Sequence, residues 1–327
     1  MIKGNKNLLR GYKYIDLFAG VGGFHLALSS FGAECVFASE WDKPASETYK
    51  TNFGIEPYGD ITTIHEKDIP SHDIICGGFP CQAFSISGKQ GGFNDTRGTL
   101  FFDIARIINH HKPKIVFLEN VKNITKHNGG DTLKVILTTL DELGYNVSYK
   151  VLNSSNYGLP QNRERVFFIG FRKDMGIEKF KFPEPLNKIV SLKDILEPDP
   201  DPENVKVINR PDINIYKSFT NLFDLKPNKP IQIGKVNKGG QGERIYDING
   251  HSVTLSAYGG GPGAKTGLYL VNDVIRKLTP RECARVQGFP DTFIINEKNS
   301  QAYKQFGNSV SVNVLQHIIQ SIYEHIK

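Results

Sequence analysis

Cys81 stands between Pro80 and Gln82 in the stretch GGFPCQAFSISGK, Gly77 to Lys89, where an apolar run gives way to a small polar loop. Most cysteines of folded proteins are buried packing groups. This one is approached through irregular chain at Gly77, Gly78 and Pro80 and is followed by the Gly-rich SISGKQGGFNDTRG, which displays the thiol as a nucleophile would be displayed. Glu119 ends the apolar run KIVFLE, where desolvation is expected to raise its pKa and keep it partly protonated near neutral pH, fit to donate a proton. A capping or salt-bridged acid would look the same in sequence. Arg163 and Arg165 in QNRERVFF are expected to alternate outward on one strand face, with Val166 and Phe168 following into the core. Arginines so spaced can hold an anion or a carboxylate, and a solvated strand face fits equally well.

A second group of residues points to a nucleoside-bearing ligand. In DLFAGVGGF, Asp16 to Phe24, a strand runs into a glycine turn and then a helix, so Gly20 and Gly23 would let backbone amides approach a ligand, with Phe18 on the turn. The order is not that of the dinucleotide fingerprint, and an ordinary tight turn is an equal reading of this motif alone. Glu40, in SEWD, follows roughly twenty residues later at a strand's carboxyl end, where an acid accepts ribose hydroxyls. Trp41, the single tryptophan, suits an adenine ring or ordinary packing, and Asp60 in GDI suits an adenine amino group or a plain turn.

The elements that must position these groups are legible as alternation. KYIDLFA, ECVFASE, HDIIC, KIVFLE, VSYKVLN and RVFFIGF read as strands, with TLFFDIARIINHH and DTLKVILTTLDELG as helices between them, the pattern of a parallel α/β sheet running to about Asp194. EPDPDPENVKVINRP then marks a boundary, a Gly-rich, basic, helix-poor stretch follows to about Val274, and SVSVNVLQHIIQSIYEHI returns to a helix expected to pack on the sheet. Domains are therefore expected at 1–194, completed by 304–327, and at 195–303. The 327 residues, 39% hydrophobic and 23% charged, suit a folded globular chain. A formal charge of +6 permits a polyanionic partner without requiring one. The four cysteines show no zinc spacing and are expected to be reduced thiols. No signal-peptide core or membrane-length apolar run is visible, so a cytoplasmic protein without membrane or metal partner is expected.

DLFAGVGGF, GGFPCQAFSISGK, ENV, QNRERVF, RKLTPRECARVQGFP and QAYKQFGNSV stand in the order and spacing of the DNA (cytosine-5)-methyltransferases, which the chain resembles over nearly its whole length. The resemblance implies a Rossmann-like α/β large domain using S-adenosylmethionine, released as S-adenosylhomocysteine, and a smaller, mostly β target-recognition domain. It implies that Cys81 adds to carbon 6 of cytosine to activate carbon 5, and that Glu119 stabilises the adduct at ring nitrogen 3. Arg163 and Arg165 would orient the ring. It places Phe18, Glu40, Trp41, Asp60, Ile61, Leu100 and Asn308 around the cofactor, and Pro80 there and at the base.

A cytosine inside a duplex is out of reach of such a site, so base flipping is implied. Ser85, Ser87 and Lys89 would then reach phosphates or the vacated strand. In the recognition region Gln241 would enter the space the base leaves, Arg244 would meet a guanine edge, and Thr254 and Tyr258 would lie at DNA. Lys235, Lys238 and Lys265 would contact phosphates. The match of this region within the family implies methylation at G-C-G-C in double-stranded DNA, although Pro262 and Gly263 depart from the bulkier, non-proline residues found there. A monomer acting as the modification enzyme of a restriction-modification system is expected. Three rivals remain at this point. A nicotinamide oxidoreductase would leave Cys81 and Glu119 without a role. An inactive DNA-binding relative would have lost a catalytic group, and an RNA cytosine-5 methyltransferase would lack so long a recognition segment.

Overall fold

The computed structural model describes residues 7–80, 100–186, 188–216 and 229–327. Cys81, Ser85, Ser87 and Lys89 lie outside the described residues. The described chain forms two compact units, one of 2–152, 164–184 and 315–327, the other of 153–163 and 185–314.

The larger unit is built on a six-stranded sheet of β1 (Lys13–Leu17), β2 (Glu34–Ser39), β3 (Ile74–Gly78), β4 (Ile115–Val121), β5 (Tyr145–Asn153) and β6 (Glu164–Arg172), in the order β2-β1-β3-β4-β6-β5. β1 pairs in parallel with β2 and β3, and β3 with β4. The sheet is not wholly parallel as the alternation suggested: β6 runs antiparallel to β4, with Val121 opposite Arg165 and Glu119 opposite Phe167. An apolar run carries no direction, so this reversal is invisible to a composition reading. The central strands carry long apolar runs, as expected where both faces of a sheet are covered: Ile15, Ile75, Val116 and Leu118 are fully buried beside Phe168 in one core.

Helices α1 (Gly23–Ser29), α2 (Lys43–Phe53), α3 (Leu100–His111) and α4 (Asp131–Glu142) connect these strands. In α3 the buried residues Phe101, Ile104, Ala105 and Ile108 recur at helical spacing. α2 is fixed at both ends: the Asp42 side chain accepts from the Ala45 amide, Pro44 occupies the first turn, and Gly54 closes the helix at φ 70°. The chain leaves β1 toward β2 on one side and returns to β3 on the other. This is the topological switch at which open α/β sheets bind ligands.

The smaller unit holds a second sheet, β7 (Asn214–Ile215), β8 (Ile231–Lys235), β9 (Arg244–Asp247), β10 (Leu268–Val271) and β11 (Val274–Arg276), in the order β11-β10-β9-β8-β7. Ile233, Val236, Ile245, Leu268 and Ile275 form its core. Beside it stand α5 (Pro280–Val286) and α6 (Asn299–Asn308). α5 opens with a reciprocal Thr279–Glu282 cap, and Glu282 also takes both arms of the buried Arg276 at 2.7 Å. α7 (Val312–Ile326) begins in this unit, and its residues from Leu315 belong to the larger one, where Gln316 donates to the Ser30 hydroxyl at 3.1 Å.

Among the described residues Cys35, Cys76 and Cys283 are free thiols. Burial pushes Cys35 up to about 11 and raises Cys76 and Cys283 well above the ordinary thiol range. No helix of the described residues is long and apolar enough to cross a membrane.

Candidate active site

At the carboxyl end of β1 the backbone turns sharply, with Phe18 at φ 54°, Gly20 at 56° and Gly22 at 84°. The glycines do different work. A Cβ on Gly22 would fall 2.2 Å from the Phe53 ring of α2, so Gly22 serves packing, whereas Gly20 faces open space in the left-handed conformation that side chains avoid. The Gly20 amide donates to Glu40 Oε2 at 2.7 Å, and the Asp42 amide to Glu40 Oε1 at 2.8 Å. Glu40 thus ties the turn after β1 to the end of β2. Burial raises its pKa, although the Asp42 and Gly20 amides act in the opposite direction.

Trp41 follows and is 75% exposed. Beside it Tyr58, which sequence reasoning missed, exchanges backbone bonds with β2, its carbonyl accepting from Glu40 and its amide donating to Ala38. Its ring stacks on Phe37 at 4.7 Å while remaining 58% exposed. Asp60, two residues on, accepts from the Thr62 amide at 3.0 Å, and Ile61 is buried beneath it. The structure therefore brings Phe18, Gly20, Glu40, Trp41, Asp60 and Ile61 to one edge of the sheet. Gly23 opens α1, and Leu100 opens α3, packed against the core. Asn308 is the exposed last residue of α6 in the smaller unit.

β3 ends at Gly78, followed by the buried Phe79 and the exposed Pro80. A Cβ on Gly77 would lie 2.4 Å from the Leu17 carbonyl oxygen, so glycine is what lets β3 pass the end of β1. Asn120, another residue the sequence reading missed, is buried and donates through Nδ2 to the Phe79 carbonyl at 2.8 Å, while its Oδ1 accepts from Val121. It fixes the chain just before Pro80. Only tertiary placement distinguishes such an amide from any polar residue ending a strand.

Glu119 and Arg165 meet on the same face of adjacent strands, with Arg165 Nε 3.1 Å from Glu119 Oε1 in a half-buried to buried setting. The desolvating strand end expected for Glu119 thus contains a guanidinium. Arg163 differs from the expectation. It lies before β6 starts, is buried in the smaller unit, and donates to the carbonyls of Leu255 at 3.1 Å and Ser309 at 2.7 Å. The two arginines do not alternate on one strand face, because the strand begins only at Glu164.

In the smaller unit Gln241 sits exposed on the β8–β9 link, and Arg244, also exposed, opens β9. Thr254 Oγ1 donates to the Asn162 carbonyl, and Tyr258 is 74% exposed. Among the described residues no group of three His, Cys, Asp or Glu is arranged to hold a metal.

The model of the C-5 cytosine-specific DNA methylases matches residues 12–324 of this chain. The chain belongs to that family. This methylase is 56% identical over 322 residues to the Type II methyltransferase M.HhaI of Haemophilus parahaemolyticus, covering 98% of the chain and 97% of the relative. It is 44% identical over 343 residues to M.HpaII of Haemophilus parainfluenzae, covering 98% and 92%. In fold the methylase is similar to the crystal structure of the S. pombe Dnmt2 methyltransferase, at a TM-score of 0.70 and 21% identity, covering 95% of this chain and 98% of that one. Like its family it is a DNA (cytosine-5)-methyltransferase that uses S-adenosylmethionine. The residues present fit that cofactor: Trp41, next to Glu40 in the chain, and Tyr58, bonded to the Glu40 backbone, both expose aromatic rings, and Gly20, whose amide donates to the Glu40 carboxylate, faces open space.

Proposed function

We propose that this methylase modifies carbon 5 of a cytosine flipped out of duplex DNA at G-C-G-C, the first cytosine being the target, through a covalent adduct of Cys81. The observation that carries the reading is the Glu119–Arg165 contact at the ends of β4 and β6, one strand from the β3 segment that runs on to Cys81. Carbon 5 of cytosine is too weak a nucleophile to take a methyl group unaided. The Cys81 thiolate adds to carbon 6, forming a C–S bond and moving electron density to carbon 5. Glu119 hydrogen-bonds or protonates ring nitrogen 3 and so accommodates that charge, and Arg165 orients the carboxyl group. The bound cofactor supplies the electrophilic methyl group that carbon 5 takes. Loss of the carbon-5 proton to a base then returns the electron pair that expels Cys81 as thiolate, and any proton given to nitrogen 3 goes back to Glu119.

Phe18, Gly20, Gly23, Glu40, Trp41, Asp60, Ile61, Pro80, Leu100 and Asn308 hold the cofactor in this reading, with Glu40 accepting from ribose hydroxyls. Arg163 helps orient the ring through the segment it anchors. Ser85, Ser87, Lys89, Gln241, Arg244, Thr254 and Tyr258 meet DNA, the last four, in the smaller unit, making the choice of site. G-C-G-C rests on the resemblance of the recognition region. The relatives' designation as Type II methyltransferases supports a modification enzyme of a restriction-modification system in a bacterial cytosol. In this reading it acts as a monomer, one strand of the site at a time.

Methyl transfer from labelled S-adenosylmethionine to a G-C-G-C duplex, a scrambled duplex and a transfer RNA, with wild type and Cys81→Ser, tests the reading. Transfer to the first duplex alone, lost in the variant, is expected. Transfer to the scrambled duplex refutes the site, transfer only to RNA refutes the substrate, and an active variant refutes the nucleophile.

A further inference from the structure

We propose that Glu243 is a positioning residue: it holds the Gly239–Gly242 turn in the shape that presents Gln241 and Arg244, and the contact between Gly242 and Gly263 is the second hold. This rests on the reading of Gln241 and Arg244 as DNA contacts. The turn joins the antiparallel pair β8 and β9, in which Lys235 lies opposite Arg244. Val236 donates to the Glu243 carbonyl at 2.7 Å, Gly239 to Val236 at 3.1 Å, and Glu243 to Gly240 at 3.0 Å, which folds the link into two successive turns. Asn237, Gly239 and Gly242 all take left-handed backbone, at φ 50°, 80° and 82°. Glycine-rich chain of this kind gains little from regular secondary structure and needs an external hold to keep one shape.

The Glu243 carboxylate spans both turns. Oε2 accepts from the Gly240 amide at 2.8 Å and Oε1 from Asn237 Nδ2 at 2.9 Å. These bonds keep the carboxyl below its ordinary range, with the Asn237 side chain the larger cause. The Asn237 amide donates in turn to Asp212 Oδ2 at 3.1 Å, and Arg210 grips both oxygens of Asp212 at 2.8 Å. Gln241 therefore lies between two residues that are each fixed, Gly240 by Glu243 and Gly242 by Gly263.

The second hold is backbone on backbone. The Gly263 amide donates to the Gly242 carbonyl at 2.7 Å. A Cβ on Gly263 would lie 2.8 Å from that oxygen and 2.8 Å from Leu268 Cγ, and a Cβ on Gly242 would lie 2.4 Å from the Gly260 oxygen. Neither glycine has room for a side chain. Arg244 completes the arrangement by donating through Nε to the Gly239 carbonyl at 3.2 Å. A carboxylate at this edge would repel phosphates. Bracing the turn gives it a reason to be there.

The experiment compares kcat/KM on the best-methylated duplex with duplexes carrying one changed base pair, for Glu243→Ala, Glu243→Gln, Asn237→Ala, Gly263→Ala, Gln241→Ala and Arg244→Ala. Melting and cofactor binding serve as folding controls. Glu243→Ala is expected to reduce discrimination about tenfold, the scale of one charged hydrogen bond, and Gly263→Ala, whose Cβ would push the Gly242 carbonyl aside, to reduce it in the same direction. Glu243→Gln, which keeps an acceptor for Gly240, should restore part of it, and Asn237→Ala should move it the same way by less. A folded Glu243→Ala enzyme with wild-type discrimination overturns the proposal. So does loss in both Glu243 variants with Asn237→Ala and Gly263→Ala unaffected, since the carboxylate would then be reading a base itself. Unchanged discrimination in Gln241→Ala and Arg244→Ala would instead remove the underlying reading, and the positioning role with it.

Discussion

Replacing Glu40 separates two roles that its carboxylate can hold at once. One oxygen accepts from Gly20 at 2.7 Å and the other from Asp42 at 2.8 Å, so the group already braces the turn before any ligand arrives. Each hydrogen bond to a carboxylate contributes about 1.5–3 kcal/mol, but the two amides are only partly buried and regain water when it is removed. Glu40→Ala should therefore cost about 2 kcal/mol of stability. If the remaining lone pairs also accept from ribose hydroxyls, the same change weakens S-adenosylmethionine by roughly 10- to 100-fold, and Glu40→Gln, which keeps one carbonyl oxygen, by about tenfold. Trp41 is the only tryptophan and is 75% exposed next to Glu40, so in the proposed site its fluorescence should report cofactor binding, while urea unfolding reports stability. Because burial raises the Glu40 pKa, cofactor affinity should weaken on acidification before an ordinary glutamate would titrate. A Glu40→Ala protein that loses stability yet binds the cofactor with wild-type affinity would show the carboxylate to be a brace alone.

Arg165→Ala should lower the methyl-transfer rate by about 10²- to 10⁴-fold with Trp41-reported cofactor affinity unchanged, because it removes the partner 3.1 Å from Glu119; a normal single-turnover rate would refute this role. Arg163→Ala should lower the melting point sharply, at a cost of about 3 kcal/mol or more, since buried carbonyls of Leu255 and Ser309 lose their donor; lost activity with unchanged melting would indicate direct action on the base instead. Burial holds the His25 and His72 imidazoles at about 4. The unfolded chain binds their protons near pH 6.5 and the folded one does not, so this stability is present at neutral pH and lost as pH falls from 6.5 toward 4. The loss is about 2 kcal/mol per imidazole between pH 7 and 5. The difference in urea midpoint between wild type and His72→Asn, followed over that range, should carry the slope, and a constant difference would contradict it.

The strands and helices around the site are legible in the sequence because burial on both sheet faces leaves uninterrupted apolar runs, as in Ile115–Leu118, while amphipathic spacing marks α3. What sequence hides is direction and distance. Nothing in RVFFIGF tells that β6 runs against β4, yet that reversal is what brings Arg165 beside Glu119. The i, i+2 spacing of Arg163 and Arg165 suggested one shared face. Arg163 instead turns toward carbonyls of Leu255 and Ser309, remote in sequence, and no local pattern encodes them. The position of Glu40 and Trp41 at the end of β2 is legible in the sequence, whereas the contacts of Tyr58 with β2 and of Asn120 with Phe79 exist only once the chain has folded.

The buried thiols have a practical consequence. The unfolded chain offers four ordinary cysteines to an alkylating reagent, but in the folded one Cys35, Cys76 and Cys283 hold their protons far above neutral pH. Under the proposed mechanism, reagent consumed at pH 7 by the native methylase would measure Cys81 above these three protonated thiols. The ratio of native to denatured uptake would then count the molecules in a preparation whose proposed nucleophile is open to attack.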